Sequence, residues 1–176
     1  MISDQLVSFL PPGSNRAVTN AVVYSNVVDL LGVGAGITPD QANVIIGSTV
    51  SVFGADQGVG IIVPELICAV GTAFAGTGTL TVTFEGAVDN GSGSPSTYQV
   101  FDASPAMTTT QLAAASFFYR RKWPIEYPDG FNPRFLRLGF TPSLTFTAGT
   151  VAYAIVTMGP TAQFNKYQGK NFVVAG

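Results

Sequence analysis

The chain has 176 residues, enough for one domain with a real core and too few for two comfortable ones. Only 10% of the residues are charged, against roughly 25% in an ordinary domain, and the net charge of −2 leaves no basic field to neutralise phosphates, which argues against direct nucleic-acid binding. There is no histidine, which removes Ser-His-Asp and Cys-His catalysis and the commonest metal ligand, and the single cysteine can make no intrachain disulfide.

Residues 1–19 read as an N-terminal arm. Met1-Ile-Ser-Asp4 lacks the basic region of a signal peptide, and Pro11-Pro12 favours an extended chain. Phe9 and Leu10 are apolar residues in a segment with no evident core of its own; they tuck under the domain or lie on a neighbour. Ala21–Leu30 alternates as a first strand, with Val22, Tyr24, Asn26 and Val28 on one face. A glycine-rich loop, residues 32–40, leads to a β-branched run over Asn43–Phe53. Gly60–Val70 is apolar enough for a strand buried on both faces, and Pro64 within it argues for an edge position or a bulge.

Thr79–Val88 alternates cleanly, with Leu80, Val82 and Phe84 opposite Thr81, Thr83 and Glu85. Asp89-Asn-Gly-Ser-Gly-Ser-Pro95 is turn chemistry, and Thr97–Phe101 is a short strand. Thr108–Ala115 is the best helix candidate, with threonine available as an N-cap. Ser116–Lys122 is a strand, and Trp123–Gly130 is a proline-punctuated crossing. Arg134–Phe140 puts Leu136, Leu138 and Phe140 on one face and Phe135, Arg137 and Gly139 on the other. Phe146–Val156 follows as its antiparallel neighbour. After Pro160 the alternation stops, leaving Phe164, Tyr167 and Phe172 in a C-terminal arm that needs somewhere to put them.

The fold class is therefore all-β: an antiparallel jelly-roll β-sandwich of about eight strands, with a domain at 20–158 between arms at 1–19 and 159–176. No stretch suits a membrane helix, since the longest low-charge run, Gly58–Phe84, carries Pro64 and many Gly and Thr. Cys68, in an apolar run, reads as a small buried hydrophobe. Arg120-Arg121-Lys122 reads as a solvated end or a set of salt-bridge partners. Gly32-Val-Gly-Ala-Gly-Ile37 lacks the third glycine of a dinucleotide loop, and Asp89-Asn-Gly lacks the carboxylates of a calcium loop. No cofactor, metal site or catalytic set is expected. Phe9, Leu10, Phe164, Tyr167 and Phe172 are the candidate protein-interface residues.

A family is recognisable at this point. Its motifs are Met1-Ile-Ser-Asp4, Arg16-Ala-Val-Thr19 and Ser25-Asn-Val-Val-Asp-Leu30; then Thr72-Ala-Phe74, Thr79-Leu-Thr-Val82 and Val88-Asp-Asn90. Pro128-Asp-Gly130 precedes Arg134-Phe-Leu-Arg-Leu138, and Phe146-Thr-Ala-Gly-Thr-Val151 closes the series. In order and approximate spacing the chain resembles the jelly-roll capsid cement (decoration) proteins of tailed bacteriophages, of the Bordetella-phage type. Residues 32–57 are longer than that family's connection, and the tail after Pro160 is an addition. The resemblance implies a non-enzymatic protein on the outer surface of the virion. Its partners would be the major capsid protein, whose neighbouring subunits it bridges, and other copies of itself in a dimer or trimer.

Other classes make different demands. A carbohydrate-binding jelly roll of a tail spike or lectin-like protein needs an exposed aromatic platform around Trp123 and Tyr127. A glycosidase needs two of Glu65, Glu85, Asp102 and Glu126 across a cleft. A shell-forming jelly-roll capsid protein would assemble alone.

Overall fold

The computed structural model describes residues 3–30, 43–46, 49–52, 64–123 and 127–158. The chain opens with β1 (Ser3–Leu10) and three two-residue pieces, β2 (Arg16–Ala17), β3 (Val23–Tyr24) and β4 (Val28–Asp29). An antiparallel pair follows, β5 (Asn43–Ile46) with β6 (Thr49–Val52). Then come β7 (Pro64–Val70), β8 (Ala75–Gly76), β9 (Thr79–Ala87), β10 (Gln99–Ala103) and β11 (Met107–Thr108). The last are β12 (Phe117–Lys122), β13 (Phe135–Pro142), β14 (Phe146–Ala148) and β15 (Thr150–Met158).

Two antiparallel sheets carry the fold. The first runs β1-β15-β7-β12, with β2 continuing β1 along β15. The second runs β10-β9-β13-β3, with β11 continuing along β9 and β4 along β13. With each continuation merged into its neighbour, and the β5–β6 and β8–β14 pairs set aside, the strands count as eight. The first sheet then reads 1-8-3-6 and the second 2-7-4-5. First pairs with last, second with seventh, third with sixth and fourth with fifth. That is the order of a doubled-over chain wrapped into a jelly roll.

Side-chain alternation explains why the sheets face each other. Leu136, Leu138 and Phe140 of β13, and Leu80, Val82 and Phe84 of β9, are all fully buried. They are neighbours across the ladder: Leu138 sits opposite Phe84, and Phe140 opposite Val82. From the first sheet, Leu66, Cys68, Val70, Ala154 and Val156 join the same core. Edge-to-face aromatic contacts close the centre, with Phe84 at 6.0 Å from Phe9 and 6.1 Å from Trp123.

The expected first strand, Ala21–Leu30, is interrupted. β3 and β4 both pair with β13, but their registers differ by one residue, so Ser25–Val27 holds a bulge. Ser25 manages the break. Its N–H donates to the Leu138 carbonyl at 2.9 Å, and its hydroxyl accepts the Leu138 N–H at 2.9 Å. The next residue, Asn26, donates its N–H to the Phe9 carbonyl at 2.8 Å and so ties the two sheets together.

Several expectations need correcting. Arg134–Phe140 and Phe146–Val156 are not paired neighbours: β13 lies in the second sheet beside β9, whereas β14 pairs with β8 and β15 lies in the first sheet between β1 and β7. The described part of the N-terminal arm is not an arm: β1 pairs with β15 in the first sheet, so the domain does not begin at residue 20. Phe9 and Leu10 are fully buried within the chain's own core and offer nothing to a partner. Thr108–Ala115 forms turns and no helix, and no helix occurs among the described residues. The Gln111 amide oxygen accepts the Thr108 N–H at 2.9 Å, a capping contact that one α-turn uses up. Leu112 is buried as an anchor, Ala115 takes a positive φ of 59°, and its N–H turns to the Val70 carbonyl. Finally, Pro64 is the first described residue of β7, and its carbonyl accepts the Trp123 backbone N–H at 2.9 Å. β7 is a central strand and not an edge.

Because Leu138 is buried on the central strand pair, Leu138→Ala is expected to cost about 2–5 kcal/mol of unfolding free energy in a denaturant titration. Thr81→Ala, on the opposite face of β9, is expected to change stability by no more than about 0.5 kcal/mol. Equal effects would contradict the assignment of faces.

Candidate functional site

The chemistry singled out in the sequence is distributed as follows. Cys68 is fully buried on the core face of β7, and burial pushes its thiol well above the usual range, so it remains protonated and unreactive. Asp89-Asn-Gly is a tight turn. Asp89 Oδ1 accepts the Gly91 and Gly93 N–H groups at 2.8 and 3.0 Å, and both glycines have positive φ. Among the described residues no cluster of acidic or cysteine side chains is arranged to hold a metal. The glycine loop at 32–37, Glu126, and the interface candidates Phe164, Tyr167 and Phe172 lie outside the described residues.

Trp123 is 1% exposed and packs its ring on Phe9 and Phe84, while its backbone N–H donates to the Pro64 carbonyl at 2.9 Å. It is core and offers no sugar platform. Tyr127 is half-buried; burial pushes its phenol up to about 12.

Arginines hold the carboxylates. Arg120 pairs with Glu65 at 2.7 Å and Arg121 with Asp102 at 2.6 Å, so two of the three residues in the basic run are salt-bridge partners. Arg134 takes two carboxylates at once: Asp29 through Nε and Nη2, at 2.9 and 2.8 Å, and Asp89 through Nη1. It thereby pins the 89–95 loop to β4. Glu85 pairs with Arg137 at 2.7 Å. Glu65, Glu85 and Asp102 thus each hold a separate arginine, and the structure joins no two of them as an acid–base pair.

Asp102 lies where the second sheet's edge meets the first. Burial acts to raise its pKa, but hydrogen bonds from Arg121 and from the Tyr119 hydroxyl, at 2.8 Å, outweigh burial and hold it below the usual carboxylate range. Tyr119 moves the other way, through burial first and then its bond to Asp102. A cleft of about 290 Å³ opens beside them, lined by Ser104, Met107, Gln111, Phe117 and Arg120 among others.

The outward face of the second sheet holds a different arrangement. Arg137 and Glu85 sit opposite each other on β13 and β9. The Arg137 guanidinium carbon lies 3.7 Å from the ring centre of Tyr24 and 3.7 Å from that of Tyr98. Burial pushes the Tyr98 phenol up, which keeps that ring neutral beside the cation. Glu85 Oε2 accepts from Arg137 Nε, and its Oε1 accepts the Thr83 hydroxyl at 2.9 Å. Gly139 makes room for this: a Cβ there would lie 2.5 Å from Thr83 Oγ1 and 3.0 Å from Glu85 Oε1. Around the cluster Val22, Tyr24 and Val100 are 43%, 40% and 57% exposed. Neither sequence periodicity nor spacing singled out Tyr98. The outward position of Arg137 was the only signal, and the meeting of the three side chains depends on the strand order.

The chain matches no protein-family model and no curated protein sequence.

The depressed pKa of Asp102 carries a sign. A carboxylate whose folded value lies below its unfolded value of about 3.9 stabilises the fold fully above that value, and the stabilisation is lost as the pH falls through the folded value. The stability difference between wild type and Asp102→Asn is therefore expected to be constant from about pH 5 to 7 and to shrink below about pH 4. Thermal melts across that range measure it, and a difference that grows in acid would contradict the assignment.

Proposed function

We propose that the chain is a capsid cement protein: a non-enzymatic jelly roll that binds the outer surface of a tailed-phage head as a homo-oligomer and bridges neighbouring major capsid protein subunits. The observation that carries the reading is the outward face of the second sheet. It is aromatic and apolar at its rim, neutral at its centre where Glu85 meets Arg137, and built on paired strands. Tyrosine and arginine on a rigid frame are what protein interfaces use most. The family resemblance points the same way.

The engagement of Arg120, Arg121, Arg134 and Arg137 with carboxylates leaves little positive field for nucleic acid. It also leaves Glu65, Glu85 and Asp102 bound as structural ions rather than poised as a catalytic pair. The carbohydrate-binding alternative loses its main residue, because Trp123 fills the core.

A clamp that binds the assembled shell and not the dispersed subunits stabilises the shell by mass action. Heads carrying the protein are expected to release their DNA at a higher temperature than heads stripped of it, and adding back the purified chain is expected to restore the difference. Light scattering with a DNA-binding dye follows the release. Equal release temperatures with and without the protein would overturn the reading.

A further inference from the structure

We propose that Arg137 is the point at which the chain receives a carboxylate from its partner, an acidic side chain on the outer surface of the capsid subunit. The inference rests on the cement reading and names the chemistry by which that face would recognise the shell.

The geometry of the donors carries it. A guanidinium has five N–H donors in a planar fork. Arg137 uses Nε on Glu85, and among the described residues its two terminal nitrogens have no hydrogen-bond partner. The carboxylate that faces it is already satisfied, one oxygen by Arg137 Nε and the other by Thr83. Four donors therefore remain on a group that still reaches solvent, with 21% of the side chain exposed. Tyr24 and Tyr98 hold the guanidinium plane in place. The entropy normally lost when an arginine is ordered at an interface has thus largely been spent on folding.

Arg134, three residues earlier, is an internal precedent. It engages one carboxylate through Nε and Nη2 and a second through Nη1. Arg137 has its first carboxylate, Glu85, and among the described residues it has no second. The paired terminal nitrogens match the two oxygens of a carboxylate end-on, a short charge-assisted contact. The exposed rim of Val22, Tyr24 and Val100 would exclude water around it, as the surroundings of a hot spot do.

The test uses the full chain and heads stripped of it. Binding is measured for wild type, Arg137→Lys, Arg137→Met and a control, Lys122→Ala, which lies on the first sheet. Each is measured on untreated heads and on heads whose surface carboxylates have been amidated with a carbodiimide and ethanolamine. On untreated heads Arg137→Lys is expected to weaken binding roughly tenfold, because a point charge replaces the fork, and Arg137→Met by more. Lys122→Ala is expected to bind as wild type does. Amidation is expected to reduce wild-type binding to the level of Arg137→Met and to leave that variant unchanged. Melting curves identify any variant that has lost its fold, and Arg137→Lys, which keeps the charge and most of the stacking, keeps the comparison interpretable.

Unchanged affinity in both Arg137 variants, with wild type bound, would overturn the inference and leave the cement reading standing. So would an amidation effect of equal size in wild type and Arg137→Met, or a loss of self-association with shell binding intact, which would place the carboxylate on a second copy. Failure of the wild type to bind untreated heads would overturn the cement reading and this inference with it.

Discussion

Eight consecutive residue pairs between β9 and β13, from Phe135 opposite Ala87 to Pro142 opposite Leu80, run without a register shift. Much of the structure depends on that alignment. With a side-chain period of two, it sends Leu80, Val82, Phe84, Leu136, Leu138 and Phe140 inward and Thr83, Glu85, Arg137 and Gly139 outward. A slip of one residue would expose the first set and bury the second, so the alignment is strongly specified. The same alternation that closes the core places Arg137 opposite Glu85. Stability and the proposed recognition surface are consequences of one pairing, and variants on the outward face can alter binding without reaching the core.

The charges obey a similar economy. A chain with few ionisable groups places many of them in pairs that join distant segments: Glu65 with Arg120, Asp102 with Arg121, Asp29 and Asp89 with Arg134, and Glu85 with Arg137. The more exposed of these, such as Arg120 with Glu65 at 42% and 26%, contribute little to stability. Arg134 is different in kind, since its two-sided grip fixes a loop that has few apolar contacts of its own. What remains on the second sheet's outer surface is one balanced pair, Glu85 with Arg137, flanked by Tyr24 and Tyr98.

Local signals in the sequence were legible. The two alternating runs on β9 and β13 name the core faces, and the Asp89–Pro95 segment names its turn, because each depends on residues close in the chain. What could not be read depends on distance. Phe9 and Leu10 look stranded until β15, far along the chain, supplies the neighbour that makes β1 a core strand. Trp123 follows a polar run and precedes a proline, so its burial between Phe9 and Phe84 has no local mark. Thr108–Ala115 carries genuine helix chemistry, a threonine cap answered by Gln111, and loses to tertiary demands on Leu112 and Ala115. The contact of Tyr24 and Tyr98 with Arg137 joins β3, β13 and the residue that leads into β10, and no spacing rule foretells it.

On the proposed reading the domain presents one outward sheet to a shell and meets it through Arg137, held between Tyr24 and Tyr98. Electron microscopy of intact heads, with this chain placed in the density, tests the claim most directly. The account predicts an eight-stranded sandwich on the outside of the head, spanning neighbouring capsid subunits, with the Tyr24–Arg137–Tyr98 face turned toward an acidic residue of the shell. Density for the chain at the tail or inside the head, or on the shell with that face turned to solvent, would contradict it.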